Sequence, residues 1–417
     1  MTEQEIHDKV RRLLVNNVDS RYSFLLNKRY FYIQPSPHKY PYQWFWDTCF
    51  HAFMLCQLKE YDLAKRSISS LFTLQKNDGF VGHIIFWKGL LPRYLFELLQ
   101  SRPKWHRPRP TMSSLIQPTF VAQAVLDIYK GDKDIGFVKE ILPKIKKYFY
   151  WLSQHRDFQG DGLLSIISPF ESGIDWKPSF DSVIGYPEKK ARDKLFWRGL
   201  SINFKNFFNW YNLEKISKKH YFLVKEVGLN TIYVKDLQAL AKLCKVVGDT
   251  DAIVYEERAK KVTESIIEKM YDTETSAFYD VESHTGRQLK VLTPTIFFPL
   301  SLDGVSHKIT QGVLQAHFYN TEEFVCPYPL PSVAMNEFTF DPGESTFLWR
   351  GPTWIMYNWF LYKFFKSKDY HEEAHMLRDS VKRLIEKSGF REYYNPITGE
   401  GYGAKDFTWS GLILDMK

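Results

Sequence analysis

Gln159-Gly160-Asp161-Gly162-Leu163 follows a helical stretch over 135–154 and repeats in outline Lys76-Asn77-Asp78-Gly79-Phe80, which follows another at 63–75. The segments 271–279 and 390–396 have the same look after the helical runs 250–271 and 371–388. Glycine and Asx residues suit such turns because they accept backbone angles that other side chains resist. Outward from these turns, apolar residues recur at helical spacing over 4–16, 46–57, 117–129, 230–247, 309–316, 353–365 and 408–414. Strand-like runs are few and short. Helix, turn, helix units at irregular spacing predict an all-α fold, six helical hairpins in a toroid with long inserted loops.

No Gly/Ser-rich linker or low-complexity run interrupts the chain, so one domain spanning 1–417 is expected. The largest departure from regular pairing is 175–230, charged over 187–198 and aromatic over 204–213. A hydrophobic content of 44% with 25% charge is that of a soluble globular protein. Aromatic residues reach 17%, more than core packing asks for, and indole and phenol faces suit sugar rings or nucleobases. The net charge of +8 is spread along the chain, with denser stretches at 93–109 and 188–198 that carry no nucleic-acid motif. Neither nucleic acid nor membrane is an expected partner.

Cys49, Cys56, Cys244 and Cys326 are scattered without a Cys-x-x-Cys pair, which points to free thiols in a reducing compartment and to no metal site. The polar, helical start is unlike a signal peptide, and no uncharged run reaches membrane-spanning length. A cytoplasmic location is expected.

Chemistry concentrates in Phe170-Glu171-Ser172-Gly173-Ile174-Asp175-Trp176-Lys177-Pro178-Ser179-Phe180-Asp181. Gly173 and Pro178 make this a shaped loop. Asp175, between Ile174 and Trp176, is set against apolar surface, which raises a carboxyl pKa and suits a general acid near neutral pH. Helix capping, or pairing with Lys177, would equally account for Glu171, Asp175 and Asp181.

Four further stretches share this look. Tyr40-Pro41-Tyr42-Gln43-Trp44-Phe45-Trp46-Asp47 gathers aromatics around one carboxylate, Leu115-Ile116-Gln117-Pro118 supplies an amide, and Phe347-Leu348-Trp349-Arg350-Gly351-Pro352-Thr353-Trp354 supplies indoles and a guanidinium. Asp47 also fits an N-cap. Phe390-Arg391-Glu392-Tyr393-Tyr394-Asn395-Pro396 carries a second acid, Glu392, in a more polar setting that keeps a carboxylate ionised as a base requires. Glu400 competes for that role, in a Thr-Gly-Glu-Gly context that reads as a turn. Two acids in contrasting settings are the pattern of glycoside hydrolysis.

Together these stretches resemble the (α/α)6-barrel glycosidases of glycoside hydrolase family 63 and the related mannosylglycerate and glucosylglycerate hydrolases. The resemblance runs from about residue 40 to about residue 412. It implies an inverting, exo-acting α-glycosidase of a small α-glucoside or α-mannoside, with Asp175 as general acid and Glu392 as general base. It places sugar binding on Trp44, Trp46, Asp47, Gln117, Trp349 and Arg350, and it calls for no cofactor and no metal. Trp176-Lys177-Pro178 departs from the family, which more often has a small polar residue before the proline. A glycerate carboxylate would want an arginine, for which Arg192, Arg198 and the stretch 102–109 are candidates. Two rivals are an epimerase using His38, His51 or His83 and a non-catalytic sugar-binding relative.

Overall fold

The computed structural model describes residues 1–89, 97–102, 110–186, 192–345 and 347–417. Its helices are α1 (Glu3–Asn16), α2 (Phe45–Gln57), α3 (Tyr61–Phe72), α4 (Val121–Asp132), α5 (Ile135–His155), α6 (Arg192–Phe208), α7 (Leu213–Lys219), α8 (Val227–Val247), α9 (Ala252–Met270), α10 (His307–Val313), α11 (Ile355–Ser367) and α12 (His371–Ser388). Strands among the described residues are short and pair as local antiparallel ribbons.

Six elements form the inner ring: α2, α4, α8, the 3-10 stretch Pro294–Ser301, α11 and the 3-10 stretch Thr408–Asp415. Each packs on the next, and the last returns to α2. Outside them stand α3, α5, α9, α10, α12 and α1, paired with the inner elements in that order. The chain is thus an (α/α)6 barrel, and its closing pair joins the first helix to the last inner stretch.

The inner and outer elements differ in pattern for a physical reason. In α2 every residue from Phe45 to Leu55 is buried, as a segment enclosed on all sides requires. In α12 burial falls on Ala374, Leu377, Ser380, Val381, Leu384 and Ile385, a single stripe of helical period that leaves the charged face in water. Caps set the starts: Asp134 accepts from the Phe137 N–H ahead of α5, and Glu226 from the Leu229 N–H ahead of α8.

Several boundaries differ from the sequence expectation. The run 117–129 becomes helical only at Val121, because Pro118 disfavours helix at Gln117 and leaves it free to reach inward. The run 309–316 is α10, continuing as a π-helical turn over Leu314–Phe318. The run 408–414 is wound as 3-10 helix. Pro294–Ser301 carries no helical signal, since two prolines and burial from Pro294 to Leu300 leave no polar face to reveal its period. The insertion 175–230 holds α6 and α7, which charge and aromatic crowding had obscured.

Candidate active site

The site forms where inner elements begin. Trp44 is paired through its backbone with Ile84 just ahead of α2, and Asp47 lies in the first turn of that helix. Gln117 precedes α4, Trp349 and Trp354 precede α11, and Trp409 opens the last inner stretch. These residues, with Tyr40, Trp46, Asp175 and Glu392, enclose a cavity of about 200 Å³.

Five of the six expected sugar-binding residues line it, together with both expected acids. Arg350 does not. It faces a separate cavity of about 340 Å³ and grips Asp181 with two hydrogen bonds of 2.8 and 2.5 Å. That larger cavity contains neither Asp175 nor Glu392.

The three acids of the 170–181 loop separate cleanly. Glu171 is fully buried, accepts two hydrogen bonds from Arg156 at 2.8 and 2.5 Å, and takes the N–H groups of Ile116 and Ile167. Asp181 is held by Arg350. Lys177 is engaged with Glu226 and Asp280, so it does not pair with Asp175. Structural roles therefore account for Glu171 and Asp181, while no described side chain hydrogen-bonds to Asp175, which lines the cavity. Burial, assisted by the negative charge of Glu392, pushes the Asp175 pKa up to about 7.

Glu392 sits on the strand Arg391–Tyr394, which pairs with Gly401–Lys405 through a register shift at Glu392. Such a bulge re-aims a side chain. Its carboxylate accepts from Lys39 Nζ at 2.8 Å, Tyr40 Oη at 2.6 Å and the Ala404 N–H at 2.7 Å. An ammonium and two neutral donors around one carboxylate contrast with the apolar setting of Asp175. Glu400 lies exposed in the turn of this hairpin, receives the Tyr402 hydroxyl, and does not line the cavity.

Aromatic packing fixes the walls. Trp349 stacks on Trp354 with centroids 3.8 Å apart and 13° between planes, and Trp354 stacks in turn on Tyr393. Trp46 meets Trp409 edge to face at 4.9 Å, and its backbone N–H donates to Gln117 Oε1. Gly173, at φ +72°, presses on the Trp46 ring where any side chain would stand. Asp47 accepts the Trp409 indole N–H at 2.6 Å, yet burial still drives its pKa up to about 7.

Other cavity residues escaped the sequence reading. Glu97 and Gln100 line it, and burial pushes Glu97 up to about 7. Tyr40 stood within a quoted stretch, but its bond to Glu392 spans 352 positions and leaves no local signal. Of the histidines, His51 is packed in the core against Thr408, His83 lines the cavity, and burial lowers both to about 3. His38 is exposed. Arg102 and Arg198 are exposed and do not line the cavity, whereas residues 103–109 and the Arg192 side chain lie outside the described residues.

Comparison with known proteins converges on one group. Residues 40–410 match the mannosylglycerate hydrolase MGH1-like glycoside hydrolase domain. The chain is 30% identical to mannosylglycerate hydrolase of Thermus thermophilus, over 93% of this chain and 96% of that protein. The chain belongs to this glycoside hydrolase family. More distantly within the comparisons, it is 24% identical to glucosylglycerate hydrolase of Mycolicibacterium hassiacum, over 91% and 92% of the two chains. A crystal structure of the family 63 mannosylglycerate hydrolase of Thermus thermophilus, in complex with Tris and D-glycerate, superposes with a TM-score of 0.85 at 26% identity, covering 99% of each chain. The toroid of helical hairpins expected from the turns and helices, and the family that the motifs resemble, are the ones found. Among the described residues no helix is long and apolar enough to cross a membrane.

Proposed function

We propose that the chain is an inverting, exo-acting α-glycosidase of mannosylglycerate or glucosylglycerate, working as one domain over 1–417. The observation that carries this reading is that Asp175 and Glu392 face one small cavity in opposite settings, one apolar and one filled with donors. Asp175, protonated near neutral pH, gives its proton to the glycosidic oxygen as the bond to the sugar breaks. Glu392 takes a proton from a water that attacks the anomeric carbon from the opposite face, and the sugar leaves with inverted configuration. Trp44, Trp46 and Trp349 flank the ring, while Asp47 and Gln117 receive its hydroxyls. Arg350 pairs with Asp181, at the end of the loop that carries Asp175.

The depressed histidine pKa values argue against the epimerase reading, since a group lowered to about 3 holds no proton to give at neutral pH. Two buried and two half-buried free cysteines suit a reducing compartment and favour the cytoplasm. The test is proton NMR of α-mannosyl- and α-glucosylglycerate with the purified protein from the first minutes. Early β-anomer of the free sugar supports the proposal; early α-anomer, or no release, overturns it.

A further inference from the structure

Lys177 follows Asp175 by two residues and is 2% exposed. Its ammonium donates to Glu226 at 2.6 Å, Asp280 at 2.9 Å and Thr295 at 2.7 Å, one partner for each N–H. These acceptors come from three places: the N-cap of α8, the strand Asp280–Glu282 and the inner stretch Pro294–Ser301. Ser179 adds a hydrogen bond of 2.6 Å to Asp280. The acceptors are themselves fixed, Glu226 by the Leu229 N–H and Asp280 by the Val227 N–H. On the other side of Asp175, the Arg156–Glu171 pair clamps the start of the loop. Asp175 is thus suspended between two buried ionic anchors, and no described side chain holds its own carboxyl.

We propose that Lys177 is a positioning residue for the general acid, fixing where the Asp175 carboxyl points through the buried network that ties 177–179 to the inner ring. The proposal rests on Asp175 being that acid. A buried ammonium is tolerable only while all its partners are in place, so the network admits one arrangement and resists a tilt of the loop. A proton donor works only within hydrogen-bond reach of the leaving oxygen, and small displacements far from the chemistry weaken it steeply. A small polar residue at 177 would span none of these distances.

The test uses two substrates of the same sugar. Cleavage of the glycerate glycoside needs a proton from Asp175 on the departing oxygen. The α-glycosyl fluoride needs little, because fluoride leaves with its electron pair while the attacking water loses its proton to Glu392. In Lys177→Met the kcat for the glycerate glycoside should fall by about 100-fold with KM little changed, and fluoride turnover should stay near wild type. Equal losses on both substrates would mean a merely structural role and overturn the proposal. Because Lys177→Met leaves two buried acids unpaired and risks misfolding, Thr295→Val, which removes one neutral partner, is measured in parallel and should show the same selective loss in smaller degree. Equal effects on both substrates in Thr295→Val likewise overturn it. Asp175→Asn separates the two readings. Loss on the glycerate glycoside with fluoride turnover retained upholds the acid, whereas parallel behaviour on both substrates overturns the assignment of Asp175 itself, whatever Lys177→Met shows.

Discussion

Trp409 donates its indole N–H to Asp47 across 362 positions of chain, at 2.6 Å. The bond joins the first turn of α2 to the last inner stretch and holds a buried carboxyl at the cavity wall. Trp409→Phe keeps the aromatic packing and removes the donor. Since that donor lowers the Asp47 pKa, its loss should raise it further and weaken sugar binding. A hydrogen bond to a charged group contributes about 1.5–3 kcal/mol to stability, so denaturant titrations should show a loss of that order, and steady-state kinetics a raised KM for the glycoside.

Asp175→Asn and Glu392→Gln should each lower kcat on the glycerate glycoside by about 100- to 10,000-fold. Sugar binding, followed by calorimetry, should persist in both. Wild-type turnover in either variant would remove the role assigned to that residue.

Asp47 also predicts a pH dependence of stability. Its folded-state pKa of about 7 lies above the ordinary 3.8, so between those values the folded protein holds more protons than the unfolded chain. The contribution is fully present below about pH 4 and is lost as pH rises through about 7, amounting to at most ~4 kcal/mol. Thermal melts from pH 5 to 8.5 should show Tm falling with pH in the wild type, and falling less in Asp47→Asn. If Asp175 is the general acid proposed above, activity on the glycerate glycoside should decline as pH rises through about 7 for a separate reason, the loss of its proton.

Gly173→Ala tests the contact beneath Trp46. Alanine there meets the indole ring and must also adopt a positive φ, so the loop or the tryptophan has to shift. Overpacking of this kind costs about 1–3 kcal/mol, and melts should show it together with a fall in kcat.

Arg156→Met strips Glu171 of its guanidinium at a site where neither side chain is exposed. Leaving that charge unpaired should lower stability by about 3–5 kcal/mol in denaturant titrations. Glycoside turnover should suffer too, because Glu171 also anchors the backbone of Ile116, the neighbour of Gln117.

Much of this architecture can be read from periodicity, because inner helices such as α2 and α11 are rich in apolar residues and buried along most of their length while outer ones such as α12 keep a single stripe. The 3-10 stretch Pro294–Ser301 escapes that reading: eight residues with two prolines complete too little regular helix to show a period. At the site, Asp175 and Glu392 stand out by the company of their sequence neighbours. What separates Asp175 from Glu171 and Asp181 is partners such as Arg156 and Arg350, up to 169 positions away in sequence, and only the fold brings them in. Arg350 shows the converse, since adjacency to Trp349 suggested a shared cavity whereas consecutive side chains face different ones.

The joining of α1 to Thr408–Asp415 bears on how the protein comes to be active during synthesis. Gly411 of that stretch lies directly against Val10 and Met54, and Trp409 completes the wall around Asp47. Translation delivers the loop bearing Asp175, and then the strand bearing Glu392, before this stretch emerges. A nascent chain therefore carries both acids for a time beside an unfinished cavity, and glycoside turnover must begin only once these turns have left the ribosome and closed the circle.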